Sequence, residues 1–398
     1  MRVYSRVNEA HMAAVGRLVS LAFGSPREGI AAWVRSAGVE NVRGVFEGGE
    51  QPTACLLRIP MGQYFGGQSV PMVGIAGVAI DPAWRGQGLA QFMMGECVRE
   101  LHREGVGLSA LYASTQSLYR KSGYEQAGHK FWARIRLGEI DVRERGLEMR
   151  PLETSGDGGR ADDEAVRAVY AAWAKETAGA LDRGVYIWRR IHEHRGIRFE
   201  GWGVIGAGGG LEGYVIWGQK MLGAFEFDVH VTDLAFTTAR AGRRLLAFLA
   251  GLSTTADHGV VAGGPWSPLL ALLPRQTFDL EGSELWMLRI THVERALAAR
   301  GYPMGVEAAV TIDVADETVP EQAGLWTLRV REGVGTVTRG GGAAEVICAD
   351  VRGLAGMYTG LMSPQRAALA GLVGGSPTAL ARAAAVFAGP TPVMMDGF

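Results

Sequence analysis

The chain has 398 residues, of which 47% are apolar and 20% charged, and its formal net charge is −1. This composition is typical of a globular protein of two or three domains and excludes a disordered chain. Without a dense block of lysine and arginine, nucleic acid is excluded as the main partner. No segment approaches the roughly 20 apolar residues that a membrane span requires.

The cysteines and the first helix point to a reducing compartment. Cys55, Cys97 and Cys348 are odd in number, far apart and without metal-type spacing, so we expect neither disulfides nor a bound metal. Apolar residues recur at helical spacing over 12–23, but Arg17 interrupts them and no cleavage site follows. This pattern predicts an amphipathic helix, not a signal peptide, and hence a cytoplasmic protein.

The first segment, residues 1–150, alternates strands and helices. An opening strand is followed by predicted helices at 12–23, 27–36, 86–104 and 115–121 and strands at 42–48, 52–60, 73–80, 108–113 and 130–136. Such alternation indicates an α/β layer. The polar, glycine-rich stretch "LETSGDGGRADD" at 152–163 predicts a linker.

The second segment, residues 151–290, repeats this order. We predict helices at 164–176, 185–195 and 238–252, and strands at 202–206, 212–219, 224–231 and 258–262. "GAGGG" at 206–210 lies between two strands and opens no helix, so it is interpreted as a hairpin turn and not as a phosphate-binding loop.

The third segment, residues 291–398, changes character. Short strands separated by Gly and Asp turns are predicted in "AAVTIDVAD", "GLWTLRVREG", "VGTVTRG" and "AEVICAD", followed by helices near 350–359, 363–373 and 377–387. The chain ends in "GPTPVMMDGF". An apolar tail of this kind is expected to insert into the fold, because an exposed one would fray.

One turn carries the features of an anion site. In "WRGQGLAQF", Arg85, Gly88 and Ala90 follow the apolar strand "VGIAGVAI" and open a helix. Backbone N–H groups at a helix start lack partners, and the helix dipole adds about half a positive charge there. A pyrophosphate fits this arrangement. An ordinary glycine-rich helix entry is the alternative.

A second stretch of sequence makes the interpretation of this turn more specific. "LSALYASTQSLYRKSGYEQAG" at 108–128 delivers Ser114 to a turn, Tyr119 to a short helix, and then Gly123 and Tyr124. Together the two stretches resemble the acetyl-coenzyme A (acetyl-CoA) site of the GNAT N-acetyltransferases. The resemblance implies two splayed parallel strands and acetyl-CoA as cosubstrate, with no metal. It implies coenzyme contacts at Val78, Ala79, Ile80, Arg85, Gly86, Gln87, Gly88, Leu89, Ala90 and Ser114.

We expect more specific roles for two of these coenzyme-contacting residues. The backbone N–H of Ile80 would polarise the thioester carbonyl, since strand amides in the splay point there. Ser114 resembles the family's serine near the thioester, and its alternative role is to cap the short helix.

The resemblance extends over the whole chain, to the Eis (enhanced intracellular survival) acetyltransferases. It implies an α/β (α+β) fold of three domains: an acetyl-CoA-binding GNAT domain at 1–150, a degenerate GNAT-like domain at 151–290, and a sterol-carrier-protein-like domain at 291–398 with its tail in the active site. In "TTARAGRRLLAFLAG" the second domain has Arg240, Arg243 and Leu245 at the motif positions. These bulky side chains predict that it binds no coenzyme.

The mechanism needs an acid and a base. Tyr119 is the candidate acid, because a tyrosine with a pKa of about 10 stays protonated at neutral pH and can donate to a thiolate; Tyr124 is assigned to packing. No histidine or glutamate of the first domain is obviously placed as base. The resemblance implies the free α-carboxylate of Phe398 in that role. From the residues alone, a packed arm is the alternative.

Substrate and partners follow from the resemblance. Eis enzymes accept several amine classes, including lysine side chains and aminoglycosides, in an acid-rimmed pocket. The resemblance also implies that the protein forms a homo-oligomer, a hexamer as in Eis-like proteins. Here the penultimate residue is Gly397, not an acid, although Asp396 is adjacent to it. Gly77 stands where a large aromatic could otherwise fill the pocket. Trp33 and Phe23 are candidate walls of the pocket, and core packing is the alternative for both. We therefore predict an amine without naming one. The competing function is a lipid or small-molecule carrier with vestigial acetyltransferase units; the intact first motif and the eroded second argue against it.

Overall fold

The computed structural model describes residues 1–24, 26–194, 197–223 and 226–398. The α-helices are α1 (Met12–Phe23), α2 (Arg27–Ala37), α3 (Leu89–Arg103), α4 (Gln116–Arg120), α5 (Asp163–Lys175), α6 (Val185–His192), α7 (Ala239–Gly251), α8 (Pro268–Ala271), α9 (Val293–Ala299), α10 (Val351–Thr359), α11 (Pro364–Leu369) and α12 (Pro377–Val386). Among the described residues, no helix combines the length and the apolar character needed to cross a bilayer.

The strands follow the same order along the chain. They are β1 (Arg2–Arg6), β2 (Val42–Glu47), β3 (Ala54–Phe65), β4 (Gln68–Ile80), β5 (Leu108–Tyr112), β6 (Glu125–Arg136), β7 (Glu148–Leu152), β8 (Leu181–Asp182), β9 (Glu193–His194), β10 (Ile197–Arg198), β11 (Glu200–Ile205), β12 (Leu211–Met221), β13 (Phe227–Phe236), β14 (His258–Ala262), β15 (Phe278–Ile290), β16 (Ala308–Ala315), β17 (Gly324–Arg331), β18 (Val334–Arg339), β19 (Val346–Asp350) and β20 (Val373–Gly375).

Most predicted elements are present with nearly the predicted bounds. Helix α1 covers 12–23 as predicted, and Gly24 ends it in the left-handed conformation. "GAGGG" is a hairpin turn, with the N–H of Gly206 donating to the carbonyl of Gly210 at 2.9 Å. The prediction of a helix over 363–373 is wrong beyond Leu369. The prediction of a helix over 185–195 is wrong beyond His192, because Glu193–His194 form strand β9. Residue 195 and the start of the strand predicted at 224–231 lie outside the described residues.

The chain divides into two compact units. Unit 1 comprises residues 1–128, 285–392 and 398, and unit 2 comprises residues 129–284 and 393–397. The units do not follow the order of the three predicted segments, whose bounds stay a prediction.

Unit 1 contains two sheets. The first has the order β1-β2-β3-β4-β5, followed by Trp286–Ile290 of β15. Along this path the pair β4–β5 is parallel, and the other described pairs are antiparallel. Helix α3 places Leu89, Met93, Cys97 and Leu101 on one face at intervals of four residues, and all four are buried. Each such burial contributes about 1.5–3 kcal/mol. The second sheet, with the order β18-β17-β16-β19-β20, lies in the C-terminal segment with α10, α11 and α12.

Unit 2 contains a sheet with the order β6-β14-β13-β12-β11-β7, in which only β13 and β14 are parallel. Its core includes Leu245, Leu246 and Leu249 of α7. The tail residues 393–397 belong to this unit. There the N–H of Met394 donates to the carbonyl of His129 at 3.1 Å.

Candidate active site

Strands β4 and β5 are parallel neighbours that separate after three residue pairs. Met72 to Gly74 pair with Leu108 to Ala110, whereas β4 continues along β3 as far as Ile80. A bulge at Gly77, which has a φ of +58°, shifts the register with β3 and turns β4 aside. The ring of Trp33 covers this glycine: a β-carbon placed on Gly77 would lie 2.8 Å from Cη2 of the indole.

The free edge of β4 presents the N–H of Ile80. The N–H of Asp81 donates to the carbonyl of Thr53, next to β3, at 2.8 Å. Because successive backbone N–H groups of a strand point to opposite edges, the N–H of Ile80 faces away from β3. It is therefore directed to the gap between β4 and β5, where a bound carbonyl could accept its hydrogen bond.

The turn between β4 and α3 has an open, uncapped end. Gly88 is the N-cap of α3, with a φ of +76° and no side-chain cap, and Gly86 has a φ of +75°. A β-carbon on either glycine would have no atom within 4 Å. Arg85 and Gln87 are exposed, Leu89 is buried and Ala90 is half-buried. The first N–H groups of α3 therefore remain available to an anion in this turn.

Tyr119 lies on the five-residue helix α4 and is buried. Its ring centroid is 6.2 Å from that of Tyr124, in an edge-to-face arrangement. Burial raises the pKa of Tyr119, because a phenolate is poorly solvated there. The neutral phenol, which is the proton-donating form, is thus the form that the site favours.

The neighbours of Tyr119 have distinct environments. Ser114 is exposed in the turn after β5; the N-cap of α4 is Thr115, so the capping role considered for Ser114 is wrong. Tyr124 is fully buried, and its hydroxyl lies 2.8 Å from Oγ of Ser109. This agrees with the packing role expected for Tyr124.

Phe398 lies at the point where β4 and β5 separate. A β-carbon on Gly74 would lie 2.8 Å from Cε2 of the Phe398 ring and 2.8 Å from Cε of Met61. The ring centroids of Phe398 and Tyr112 are 5.7 Å apart. Gly74, the last residue of β4 that pairs with β5, thus provides the seat for the terminal ring.

Comparisons with known proteins agree with this geometry. Residues 3–127 match an acetyltransferase (GNAT) domain model, residues 179–290 match a second such model, and residues 293–395 match a sterol carrier protein domain. A GCN5-related N-acetyltransferase from Anabaena variabilis is 30% identical, with a TM-score of 0.93 over the full length of both chains. The chain belongs to the GCN5-related N-acetyltransferases. The predicted enzyme class and mixed α/β fold are confirmed.

Two further relatives place this acetyltransferase more closely. A structure of a GCN5-related N-acetyltransferase from Kribbella flavida is 25% identical, with a TM-score of 0.88 over 100% of this chain and 98% of that one. The N-acetyltransferase Eis of Mycobacterium tuberculosis is 26% identical over 70% of this chain and 68% of its own. Two GNAT domains and a sterol carrier protein domain make the acetyltransferase Eis-like, as the resemblance implied.

The second GNAT domain of the acetyltransferase has a closed counterpart of the anion turn. Thr238, the N-cap of α7, accepts a hydrogen bond from the N–H of Ala241 at 3.1 Å. Arg240 pairs with Glu144 at 3.1 Å, and Leu245 is buried in the core. A helix start that is capped by a side chain has fewer free backbone N–H groups for an anion. This supports the expectation that the second domain binds no coenzyme.

Sequence reasoning missed the seat of Phe398 and the buried arginine that lies against Gly123, in the turn after Tyr119. An isolated Gly74 in an apolar strand often marks a close approach, and this signal was present. Arg289 in the run "LWMLRIT" was a second signal, because a buried arginine needs a partner. In the structure Arg289 is fully buried and paired with Asp316 at 2.6 Å.

Proposed function

We propose that the protein transfers the acetyl group of acetyl-CoA to an amine, with the α-carboxylate of Phe398 as general base and Tyr119 as general acid. The observation that carries this proposal is the seat of the Phe398 ring on Gly74, at the splay of β4 and β5. When Phe398 is the terminal residue, the free α-carboxylate belongs to the residue whose ring lies at the splay of β4 and β5. Folds that resemble the GNAT fold place the thioester at this splay.

The residues at the splay and the turn fit an acetyl-CoA molecule. The N–H groups at Gly86, Gln87, Gly88, Leu89 and Ala90, with the guanidinium of Arg85, would hold the pyrophosphate. The backbone of Val78, Ala79 and Ile80 would pair with the pantetheine arm, and Ser114 would contact its reactive end. The left-handed glycines and the open space above them support this assignment.

Gly88 offers a direct test of the coenzyme site. We expect Gly88→Val to raise the dissociation constant of acetyl-CoA at least about tenfold, because a side chain would enter the anion turn and strain a backbone of φ +76°. Titration calorimetry measures this constant. Gly209→Val is the matched control, since Gly209 has a φ of +78° and open space in the "GAGGG" hairpin. Equal affinity in wild type and Gly88→Val would contradict the assignment.

The proposed chemistry is a proton transfer at each end of the reaction. The carboxylate accepts a proton from the ammonium form of the substrate and releases it to solvent, so that the neutral amine attacks the thioester carbonyl and forms the C–N bond. The carboxylate then accepts the second proton that the nitrogen loses as the C–S bond breaks. The N–H of Ile80 stabilises the negative charge that develops on that carbonyl oxygen. The Tyr119 hydroxyl donates a proton to the departing thiolate, whose conjugate acid has a pKa nearer 8.5.

The substrate class is a primary amine, with lysine side chains and aminoglycosides as candidates from the Eis resemblance. The space over Gly77 is filled by the indole ring of Trp33, so the missing side chain at the bulge does not by itself enlarge the site. Release of free thiol from acetyl-CoA with a panel of lysine peptides, polyamines and aminoglycosides tests the class. A protein that releases no thiol with any amine of the panel, but binds a fatty acid, would favour the carrier function instead. Cytoplasmic location and the homo-oligomer, including the hexamer, stay predictions.

The seat of Phe398 can be tested by a pair of substitutions. We expect Gly74→Ala to lower kcat about tenfold, because the new β-carbon displaces the terminal ring and its carboxylate. Phe398→Leu, which keeps the carboxylate on a smaller side chain, should recover part of this loss when combined with Gly74→Ala. Gly16→Ala in α1 is the control, since its β-carbon meets open space. No recovery in the double variant would count against the seat.

A further inference from the structure

We propose that the sterol-carrier-protein-like domain holds the general acid in place: Arg352, through Glu125, fixes the helix that carries Tyr119. This proposal rests on the proposed role of Tyr119. It makes Arg352 a positioning residue for the acetyltransferase reaction, although Arg352 belongs to a different domain of the chain and touches no reacting group.

Glu125 stands between two arginines. Nη2 of Arg120 donates to Oε1 of Glu125 at 2.7 Å, and Nη2 of Arg352 donates to Oε2 at 2.6 Å. The Nε atoms of both arginines lie 3.0 Å from the same carboxylate. The Glu125 side chain is 3% exposed, whereas those of Arg120 and Arg352 are 39% and 30% exposed. The charge-assisted bonds therefore hold a buried carboxylate between two partly exposed guanidinium groups.

The bridge joins two helices of unit 1. Arg120 is the last residue of α4 and directly follows Tyr119, whereas Arg352 lies in the first turn of α10. The hydrogen bonds of both arginines lower the pKa of Glu125 although its burial alone would raise it. The carboxylate is therefore ionised at neutral pH and carries its charge between the two guanidinium groups.

Helix α4 depends on such outside contacts. Five residues are too few for a helix that is stable by itself, and its N-cap, Thr115, makes no side-chain cap. A further polar contact of the helix joins Gln126 Nε2 to Gln116 Oε1 at 3.0 Å. The orientation of Tyr119 is thus set by tertiary contacts, among which the Glu125 bridge is charged and partly buried.

The turn that links Tyr119 to Glu125 is packed against the same C-terminal segment. Gly123 has a φ of +82°, and a β-carbon on it would lie 2.9 Å from Cγ2 of Val351 and 2.8 Å from Nε of Arg289. The carbonyl of Tyr119 accepts hydrogen bonds from the N–H groups of Ser122 and Tyr124. A shift of Arg352 and Val351 would therefore be passed to Tyr119 through a short, rigid turn.

The test uses Arg352→Ala in the full-length enzyme. We expect kcat to fall at least about tenfold while the KM for acetyl-CoA changes less than about twofold, because a misplacement of about 1 Å can cost 10²-fold. Arg352→Lys, which keeps the positive charge on a long side chain, should recover part of the loss and serves if the alanine variant does not fold. Arg366→Ala is the control, since Arg366 is exposed on α11.

A double-mutant comparison separates positioning from general stability. In the Tyr119→Phe background, Arg352→Ala should lower kcat less than about twofold, because the group that it positions is already absent. An equal loss in both backgrounds, or no loss in the wild-type background, overturns the inference and leaves the role of Tyr119 intact. A Tyr119→Phe enzyme with the wild-type rate overturns both.

Discussion

Extending the chain beyond Phe398 by a short C-terminal tag is expected to lower kcat by about 10²–10⁴, the usual contribution of a positioned base. The tag converts the α-carboxylate into a neutral amide, which cannot accept the proton of the ammonium substrate. Deleting Phe398 is expected to have a similar effect. The carboxylate then ends one residue earlier, about 3.5 Å away along an extended chain, and the ring seated on Gly74 is lost.

The measurement is the steady-state rate of thiol release with one accepted amine. An N-terminal tag of the same sequence is the first control, and Phe398→Leu, which keeps the terminal carboxylate, is the second. Intact mass of the purified protein checks that Phe398 is the last residue. A tagged enzyme with the wild-type kcat would eliminate the carboxylate as base. A loss of acetyl-CoA affinity equal to the loss of kcat would instead indicate a structural role for the tail.

Elements whose packing follows local periodicity were predictable from the sequence. Helices α1, α3 and α7 each bury one stripe of residues spaced three or four apart, and the sequence contains that spacing without any distant partner. Strand β15 was not predicted. Its residues Trp286–Ile290 pair with Leu108–Tyr112 of β5, more than 170 residues away, and "FDLEGSELWMLRI" does not alternate cleanly.

The same distinction between local and long-range information applies to the candidate active site. The glycines of the anion turn could be predicted, because a left-handed conformation at a helix start has a local sequence signal. The contacts of Gly74 with Phe398 and of Glu125 with Arg352 join residues that are hundreds of positions apart. No local pattern encodes such pairs. The resemblance to Eis enzymes pointed to the tail, but only the folded chain identifies the glycine beneath it.

Tyr119→Phe is expected to lower kcat by about 10²–10³ and to leave the KM for acetyl-CoA within about twofold. The substitution removes one hydroxyl from a buried ring and preserves the packing against Tyr124, so the loss is that of a proton donor. Tyr124→Phe is the matched control. It removes the hydroxyl bonded to Ser109, which costs about 1 kcal/mol of stability, and should leave kcat nearly unchanged.

The pH dependence of kcat provides a second test of Tyr119 as the proton donor. Burial raises the pKa of Tyr119 above its ordinary value of about 10, so the acid form persists as the pH rises through 9 and 10. Any fall of the wild-type kcat through loss of this proton should therefore lie at higher pH than for a tyrosine with the ordinary pKa. In Tyr119→Phe the thiolate must leave without a donor at every pH, and the rate should be low throughout. A Phe variant with both the rate and the pH profile of wild type would show that the thiolate takes its proton from elsewhere.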